Sequence, residues 1–290
     1  MATRPEKSSK LFGNAVRLTP EPCEKPWGRI MLGPWGLELG NGRQPIGEVH
    51  HRVAAGDPPL LIKTLFTGEP LSVQVHPDQA GAQARGHRRG KDEAWVVLAA
   101  EPGARIGKGL VRDGDAATLR AAAHDGTIMD MLHWHDCAAG DVFFTPAGTI
   151  HAIGAGVTLF EIQQNCDLTY RLFDHGRDRP LHLDDGLAVA DMRAWAPPQP
   201  LPSPGPGREL LVAGPSFVLE RIVTAGGQVV PPVGRILWLA VVSGSGHIGA
   251  DRLAAGEVWE ITAPVHLGGQ AEFLLAYTGA DPVADLWMED

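Results

Sequence analysis

The chain has 290 residues, of which 44% are hydrophobic and 20% are charged, a balance that predicts a globular protein with a sizeable core. Its formal net charge of −9 would repel a phosphate backbone, so we expect no nucleic-acid partner. No apolar run is long enough to span a bilayer and residues 1–20 have no apolar signal-peptide core, so we expect no membrane partner and a cytoplasmic protein. Three scattered cysteines agree with a reducing compartment.

Short runs rich in Val, Ile, Leu and Phe, mostly bounded by Gly, Pro or Asp, predict a mainly β protein. These runs are 60–66, 71–76, 93–100, 141–147, 157–164, 217–223 and 236–243. Many short strands joined by glycine- and proline-rich turns favour a β-sandwich or jelly roll. Only the stretch 112–135 differs, because its apolar residues recur at helical spacing, and we predict a helical insertion there.

Alternating prolines between residues 197 and 208 can neither continue a helix nor pair within a sheet, so this segment predicts a linker. It divides the chain into an N-terminal domain (1–196), which contains the insertion, and a smaller C-terminal β domain (209–290).

The most informative local pattern runs from Gly140 through Pro146 and Gly148 to His151. It describes a strand that ends in a rigid Pro-Gly turn and directs the histidine of the next strand inward, where it can bind a metal with little loss of entropy. The spacing resembles the second conserved motif of the cupin superfamily. A buried structural histidine is the alternative interpretation.

The partner ligands are expected upstream. Gln74 and His76 alternate onto one face of a strand, and Glu93 opens the next strand. Together with His151 they offer two nitrogen and two oxygen donors, a set that suits Zn²⁺, with another divalent transition metal possible.

Four segments in order make the resemblance specific: 71–78, 90–109, 140–154 and 161–174 resemble the signatures of type I mannose-6-phosphate isomerases, most closely the short bacterial members. The family implies two cupin-like β domains, one zinc ion per chain held by Gln74, His76, Glu93 and His151, and interconversion of mannose 6-phosphate and fructose 6-phosphate. The C-terminal part matches only as a plausible second, metal-free sandwich, and we expect a monomer or homodimer.

The same resemblance assigns further roles. Arg171 matches an arginine implicated in catalysis and in stabilising negative charge, and Lys91 and Ser72 match substrate or phosphate contacts. Asp167 and Glu161 match pocket carboxylates. The reaction moves a proton between C1 and C2 through an enediolate, so it needs a base and a positive charge beside the developing oxyanion. We take Arg171, Lys91 and Glu161 as catalytic residues; the base stays open among Glu161, Asp167, Lys91 and a metal-bound hydroxide.

One position departs from the family. Some members carry a histidine, proposed as a proton carrier, immediately before the lysine, where this chain has Gly90. Two alternatives therefore stay open: another metal cupin that acts on a sugar, and a non-catalytic sugar-phosphate sensor. We assign no ligand role to His133 and His135, predicted to lie in the helical insertion, and expect no second metal site around His247, Glu260 and His266.

Overall fold

The computed structural model of the chain describes residues 14–39, 44–53 and 56–290. The expected absence of a signal peptide concerns residues 1–20, of which 1–13 lie outside the described part. The structure is mainly β, as predicted. No helix among the described residues has both the length and the apolar character needed to cross a membrane.

The strands, in chain order, are β1 (Ala15–Arg17), β2 (Thr19–Arg29), β3 (Ile46–Arg52), β4 (Leu60–Phe66), β5 (Val73–Val75), β6 (Glu93–Ala100), β7 (Arg105–Leu110), β8 (Leu132–Asp136), β9 (Val142–Thr145), β10 (His151–Ile153), β11 (Val157–Gln164), β12 (Tyr170–Phe173), β13 (Arg208–Ala213), β14 (Phe217–Val229), β15 (Leu237–Ile248), β16 (Asp251–Leu253), β17 (Val258–Ile261), β18 (Val265–Thr278) and β19 (Trp287–Glu289). The helices are α1 (Gln79–Gln83), α2 (Ala116–Asp125), α3 (Ile128–Met131) and α4 (Leu183–Val189), and single 3₁₀ turns occupy Pro34–Gly36 and Ala284–Leu286.

These strands form three sheets. The outer sheet has the order β12-β5-β10-β7-β8, and the middle sheet has the order β2-β3-β4-β11-β6-β9. The C-terminal sheet has the order β1-β17-β15-β18-β14-β13, with β16 and β19 paired at its sides. The outer and middle sheets face each other and make the N-terminal sandwich, which carries α2, α3 and α4 on its outer face.

Apolar residues cover both faces of the middle sheet. On β6, Trp95 and Val97 point toward the outer sheet, whereas Ala94 and Val96 point toward the C-terminal sheet, as the two-residue period of a strand requires. The second of these interfaces continues into the C-terminal sheet, where Phe217 and Trp238 are almost fully buried. The middle sheet therefore lies between two apolar layers.

The strand prediction is confirmed for β4, β6 and β11, which have the predicted bounds. The predicted helical insertion is correct for α2 and α3 but wrong for residues 132–135, which begin strand β8 and pair with β7. Local apolar spacing favoured a helix there, and the non-local pairing with an edge of the outer sheet outweighs it.

The division at 197–208 stays a prediction, and the segment has no helix or strand before Arg208. One strand crosses the division: β1, near the start of the chain, pairs with β17 in the C-terminal sheet. This pairing brings an N-terminal segment into the C-terminal unit.

Candidate active site

Four side chains from three different strands meet at the centre of the N-terminal sandwich. Gln74 lies in β5, and its strand pairs with β10 so that Gln74 is opposite His151. His76 follows directly after β5, and Glu93 is the first residue of β6 on the facing sheet. Strand pairing therefore places His151 beside Gln74, and sheet packing places Glu93 across from both.

The distances within this cluster are short. Glu93 Oε1 lies 3.5 Å from His76 Nε2, and Glu93 Oε2 lies 3.7 Å from His151 Nε2. One ligand atom from each of these three residues lies within 4.8 Å of the others, the only such group among the described residues. All three side chains are almost fully buried.

Backbone carbonyls fix which histidine nitrogens face the centre. His76 Nδ1 donates to the carbonyl oxygen of Leu168 (3.0 Å), and His151 Nδ1 donates to that of Thr149 (2.9 Å). The Nε2 atom of each histidine then carries a lone pair that points toward Glu93. Metal-binding histidines are usually held in this way, with the other ring nitrogen donating to a carbonyl oxygen.

Glu93 gives an observation that tests whether a metal fits. Both of its carboxylate oxygens are buried and accept no hydrogen bond, although Lys91 Nζ lies 3.1 Å from Oε1. Unsatisfied buried oxygens are costly unless another group binds them. Two unsatisfied oxygens between two imidazole nitrogens are the donors expected around a divalent transition metal.

The protonation states also agree with a metal site. Burial, helped by the charge of Lys91, lowers the pKa of His76 to about 4, and burial also lowers the pKa of His151. Burial opposes ionisation of Glu93, but Lys91 and His76 outweigh it and hold its pKa well below the usual value. Neutral imidazoles and an ionised carboxylate are the forms that bind metal.

Gln74 completes the predicted set. Its side-chain Nε2 lies 3.2 Å from His151 Nε2, and its Oε1 accepts a hydrogen bond from the Ser72 hydroxyl at 3.2 Å. A rotation of the amide by 180° exchanges these two atoms and directs the carbonyl oxygen to the cluster. All four predicted metal-binding residues are therefore adjacent.

A cavity of about 570 Å³ opens beside the cluster, lined by residues of both sheets. Seven of its lining residues were predicted from the sequence as catalytic or substrate-binding residues or as ligands: Ser72, Gln74, Lys91, Glu93, Glu161, Asp167 and Arg171. The volume is within the range of small-molecule sites.

Positive charge lies on two sides of the cavity. Lys91 is buried and places Nζ 3.2 Å from the Thr169 hydroxyl and 3.4 Å from His76 Nε2. Arg171 lies opposite Gln74 in the neighbouring strand β12, and its Nε donates to the Pro180 carbonyl at 3.0 Å. Both cations are in position to face the same small ligand.

The two pocket carboxylates differ in surroundings. Glu161 is buried, and its two oxygens accept hydrogen bonds from Lys63 Nζ (2.9 Å) and Trp95 Nε1 (3.0 Å). Asp167 is exposed at the mouth of the cavity, in the loop before β12. Glu161 is thus fixed in one orientation, whereas Asp167 faces water.

Sequence reasoning missed the polar residues on β2, β3 and β4. Lys63 lines the cavity with Glu48, His50 and Lys25. Burial opposes ionisation of Glu48, but the hydrogen bond from His50 and the charges of Lys63 and Lys25 outweigh it and lower its pKa. A signal was present: Lys63 is the only charged residue in the mostly apolar run 60–66.

The histidines outside the site have other surroundings. His133 and His135 share one face of strand β8, contrary to the helical prediction, and their rings are 4.5 and 4.6 Å from that of Trp195. They do not belong to the metal-ligand cluster identified among the described residues. The same holds for His247, Glu260 and His266.

The chain is related to curated mannose-6-phosphate isomerases. It is 35% identical to the enzyme of that name from Streptococcus mutans over 198 residues, which are 66% of this chain and 62% of the relative. The chain therefore matches less than two thirds of that relative's length. No protein-family model matches the sequence.

Solved structures agree on the fold. The mannose 6-phosphate isomerase of Bacillus subtilis superimposes with a TM-score of 0.78 at 22% identity, covering 91% of this chain and 99% of that chain. A mannose 6-phosphate isomerase bound with zinc and yttrium superimposes with a TM-score of 0.69 at 16% identity over 92% of this chain and 100% of that chain. The resemblance inferred from the motifs is confirmed, and the fold is that of the phosphomannose isomerases.

Proposed function

We propose that the chain is a metal-dependent aldose–ketose isomerase that interconverts mannose 6-phosphate and fructose 6-phosphate. The observation that carries the proposal is Glu93, whose two oxygens accept no hydrogen bond and face two imidazole nitrogens at the wall of a cavity that also contains Lys91 and Arg171. The name of the Streptococcus mutans relative points to the same activity and favours it over another metal cupin or a sensor.

The metal is proposed as one Zn²⁺ per chain, held by Gln74, His76, Glu93 and His151. When bound, it would act as a Lewis acid toward a sugar oxygen. The donor set and the zinc in a solved isomerase of the same fold support this choice over other divalent metals. Metal analysis of the purified protein by mass spectrometry tests both identity and number.

The residues of this chain supply binding and charge. Lys91 and Arg171 would face the oxyanion that develops on O1 or O2, where a cation inside a water-poor cavity is most effective. Ser72 and Lys91 are the proposed phosphate contacts, with Asp167 at the mouth binding sugar hydroxyls. Glu161, fixed by Lys63 and Trp95, is the proposed base that carries the proton between C1 and C2.

The isomerase activity is tested with a coupled assay of fructose 6-phosphate formation, before and after verified metal removal. We expect His76→Ala to lose both bound metal and turnover, and His124→Ala, on the exposed side of α2, to retain both. Full turnover without metal, or no turnover by the metal-loaded protein, would contradict the proposal.

We further propose a cytoplasmic location and a monomeric or homodimeric state. Three free thiols, at Cys23, Cys137 and Cys166, support the reducing compartment. Light scattering of the purified protein measures the oligomeric state directly.

A further inference from the structure

A second cavity, of about 370 Å³, is lined by Lys108 of β7, the residue that pairs with His151 of β10. The catalytic cavity uses β5 and β12 of the outer sheet, whereas this one uses β7, with β10 and its His151 between them. The two cavities share no lining residue. The second cavity is therefore a separate space, and the proposed function does not use it.

Lys108 is the unusual residue in this cavity. It is 9% exposed, and among the described residues it has neither a hydrogen bond nor an ion pair from its ammonium group. The other two buried lysines differ, because Lys63 and Lys91 have carboxylate oxygens at 2.9 and 3.1 Å. Burial lowers the pKa of Lys108 to about 8.

The Lys108 side chain is largely buried but lines the open cavity, so an anion inside the cavity could pair with its ammonium group and offset part of its lost hydration. The cavity's own acidic residue, Asp191, does not serve, because it pairs with Arg193 at the rim. A group that pairs with Lys108 would therefore enter from the cavity, and it would carry negative charge.

The rest of the cavity is mostly apolar and already formed. Phe144, Pro146, Trp195 and Pro198 line it. Trp195 is held by its contact with the His133 ring and by the close approach of Gly109, where a Cβ would lie 2.8 Å from the Cβ of Trp195. A planar apolar group can therefore enter without rearrangement of this wall.

We propose that this cavity binds a small organic anion, a carboxylate or a phosphate monoester, with its charged group on Lys108 and its apolar part against Trp195 and Phe144. A neutral ligand would leave the ammonium unpaired, and a cation would be repelled by it. The Thr149 backbone links the site to the metal cluster, because its carbonyl accepts the hydrogen bond of His151.

The binding test uses calorimetric titration of the metal-loaded chain with benzoate and phenyl phosphate, with benzyl alcohol as the neutral probe. We expect at least one anion to bind and benzyl alcohol to bind at least tenfold more weakly. Lys108→Met should weaken anion binding at least tenfold, whereas Lys25→Met, in the catalytic cavity, should change it less than twofold.

Absence of binding by both anions, equal binding by Lys108→Met and the unchanged chain, or loss of binding in Lys25→Met would overturn the proposal. Thermal unfolding without ligand gives a second measurement. Lys108→Met should raise the melting temperature, because it removes a partly desolvated charge that has no partner among the described residues, at nearly constant shape. A lower melting temperature would show that Lys108 serves the fold, and would also overturn the proposal.

Discussion

The Ser216 hydroxyl donates a 2.5 Å hydrogen bond to Oδ2 of Asp92, although the two residues lie 124 positions apart. Asp92 stands between Lys91 and Glu93, and its other carboxylate oxygen accepts a hydrogen bond from the backbone N–H of Ala147, in the turn that leads to His151. A residue in the turn between β13 and β14 of the C-terminal sheet thus helps to hold two of the elements that carry the proposed ligands.

The first prediction concerns this contact. Ser216→Ala leaves a buried carboxylate oxygen without its donor, which we expect to cost about 1–3 kcal/mol of unfolding free energy. Zinc affinity, measured by competition with a chelator, should fall about fivefold, because the start of β6 is held less firmly. Ser243→Ala, at an exposed serine with a long contact to Glu272, is the control and should change neither quantity. Unchanged zinc affinity in Ser216→Ala would show that this contact does not support the site.

A second prediction concerns Gly90, where some relatives carry a histidine. A Cβ at this position would lie 2.5 Å from the backbone nitrogen of Gln79 and 2.6 Å from the carbonyl carbon of Asp78. We expect Gly90→Ala to destabilise the protein by about 1–3 kcal/mol and Gly90→His to add no activity, because backbone atoms must move before any side chain fits.

The matched control is Gly114→Ala, whose Cβ would meet only side-chain atoms, the nearest at 3.3 Å. Urea unfolding measures all three variants. A stable and more active Gly90→His would contradict this prediction. It would mean that the backbone at the start of α1 can move at little cost in stability, and that the absence of the histidine limits the activity of the chain.

The third prediction concerns the buried pair of Lys63 and Glu161. Lys63→Met leaves the Glu161 carboxylate without its ammonium partner, which we expect to cost about 3–5 kcal/mol. The double variant Lys63→Met/Glu161→Leu should recover part of this loss, because no unpaired charge remains but the buried Trp95 N–H loses its acceptor. If both variants unfold at the same urea concentration, the loss of stability in Lys63→Met does not come from an unpaired Glu161 carboxylate.

The fourth prediction concerns pH. Burial, together with the charge of His50, lowers the pKa of His51 to about 3 from an ordinary value of 6.5. The unfolded chain therefore binds a proton at this residue that the folded chain excludes, and stability falls as the pH decreases from about 6.5 toward 3. The slope is about 1.4 kcal/mol per pH unit for one proton.

His51→Leu should reduce the pH dependence of the unfolding free energy by about one proton between pH 6 and 4. Exposed His124→Ala provides the control and should leave the slope unchanged. Equal slopes for His51→Leu and the unchanged chain would mean that His51 takes up its proton in the folded state.

The clustering of the four proposed metal ligands was predictable because each of them lies within a short motif. Gln74 and His76 are two residues apart on one strand, and the Pro-Gly turn before His151 fixes its direction locally. Local spacing could not reveal that Lys63 and Trp95 hold Glu161, because those contacts join three strands of the middle sheet.

Non-local pairing explains the wrong helix prediction for residues 132–135 and the strand that crosses the predicted division. Residues 132–135 have helical spacing, yet they pair with β7 and become strand. Residues 15–17 begin the N-terminal part of the chain, yet they join the C-terminal sheet through β17. In both places the strand is stabilised by pairing with another strand that lies elsewhere in the sequence. A local pattern carries no information about such a partner.

The middle sheet has apolar neighbours on both sides, and this has a consequence for dissection of the protein. Proteolytic cleavage within the proline-rich segment would leave two fragments that remain associated, because separation would expose Phe160 and Ile162 to water along with Phe217 and Trp238. A truncated chain that ends before residue 200 would expose the apolar face of the middle sheet to solvent, and this exposure would favour aggregation. Although its sequence predicts two domains joined by a linker, we expect the intact chain to unfold in one cooperative transition.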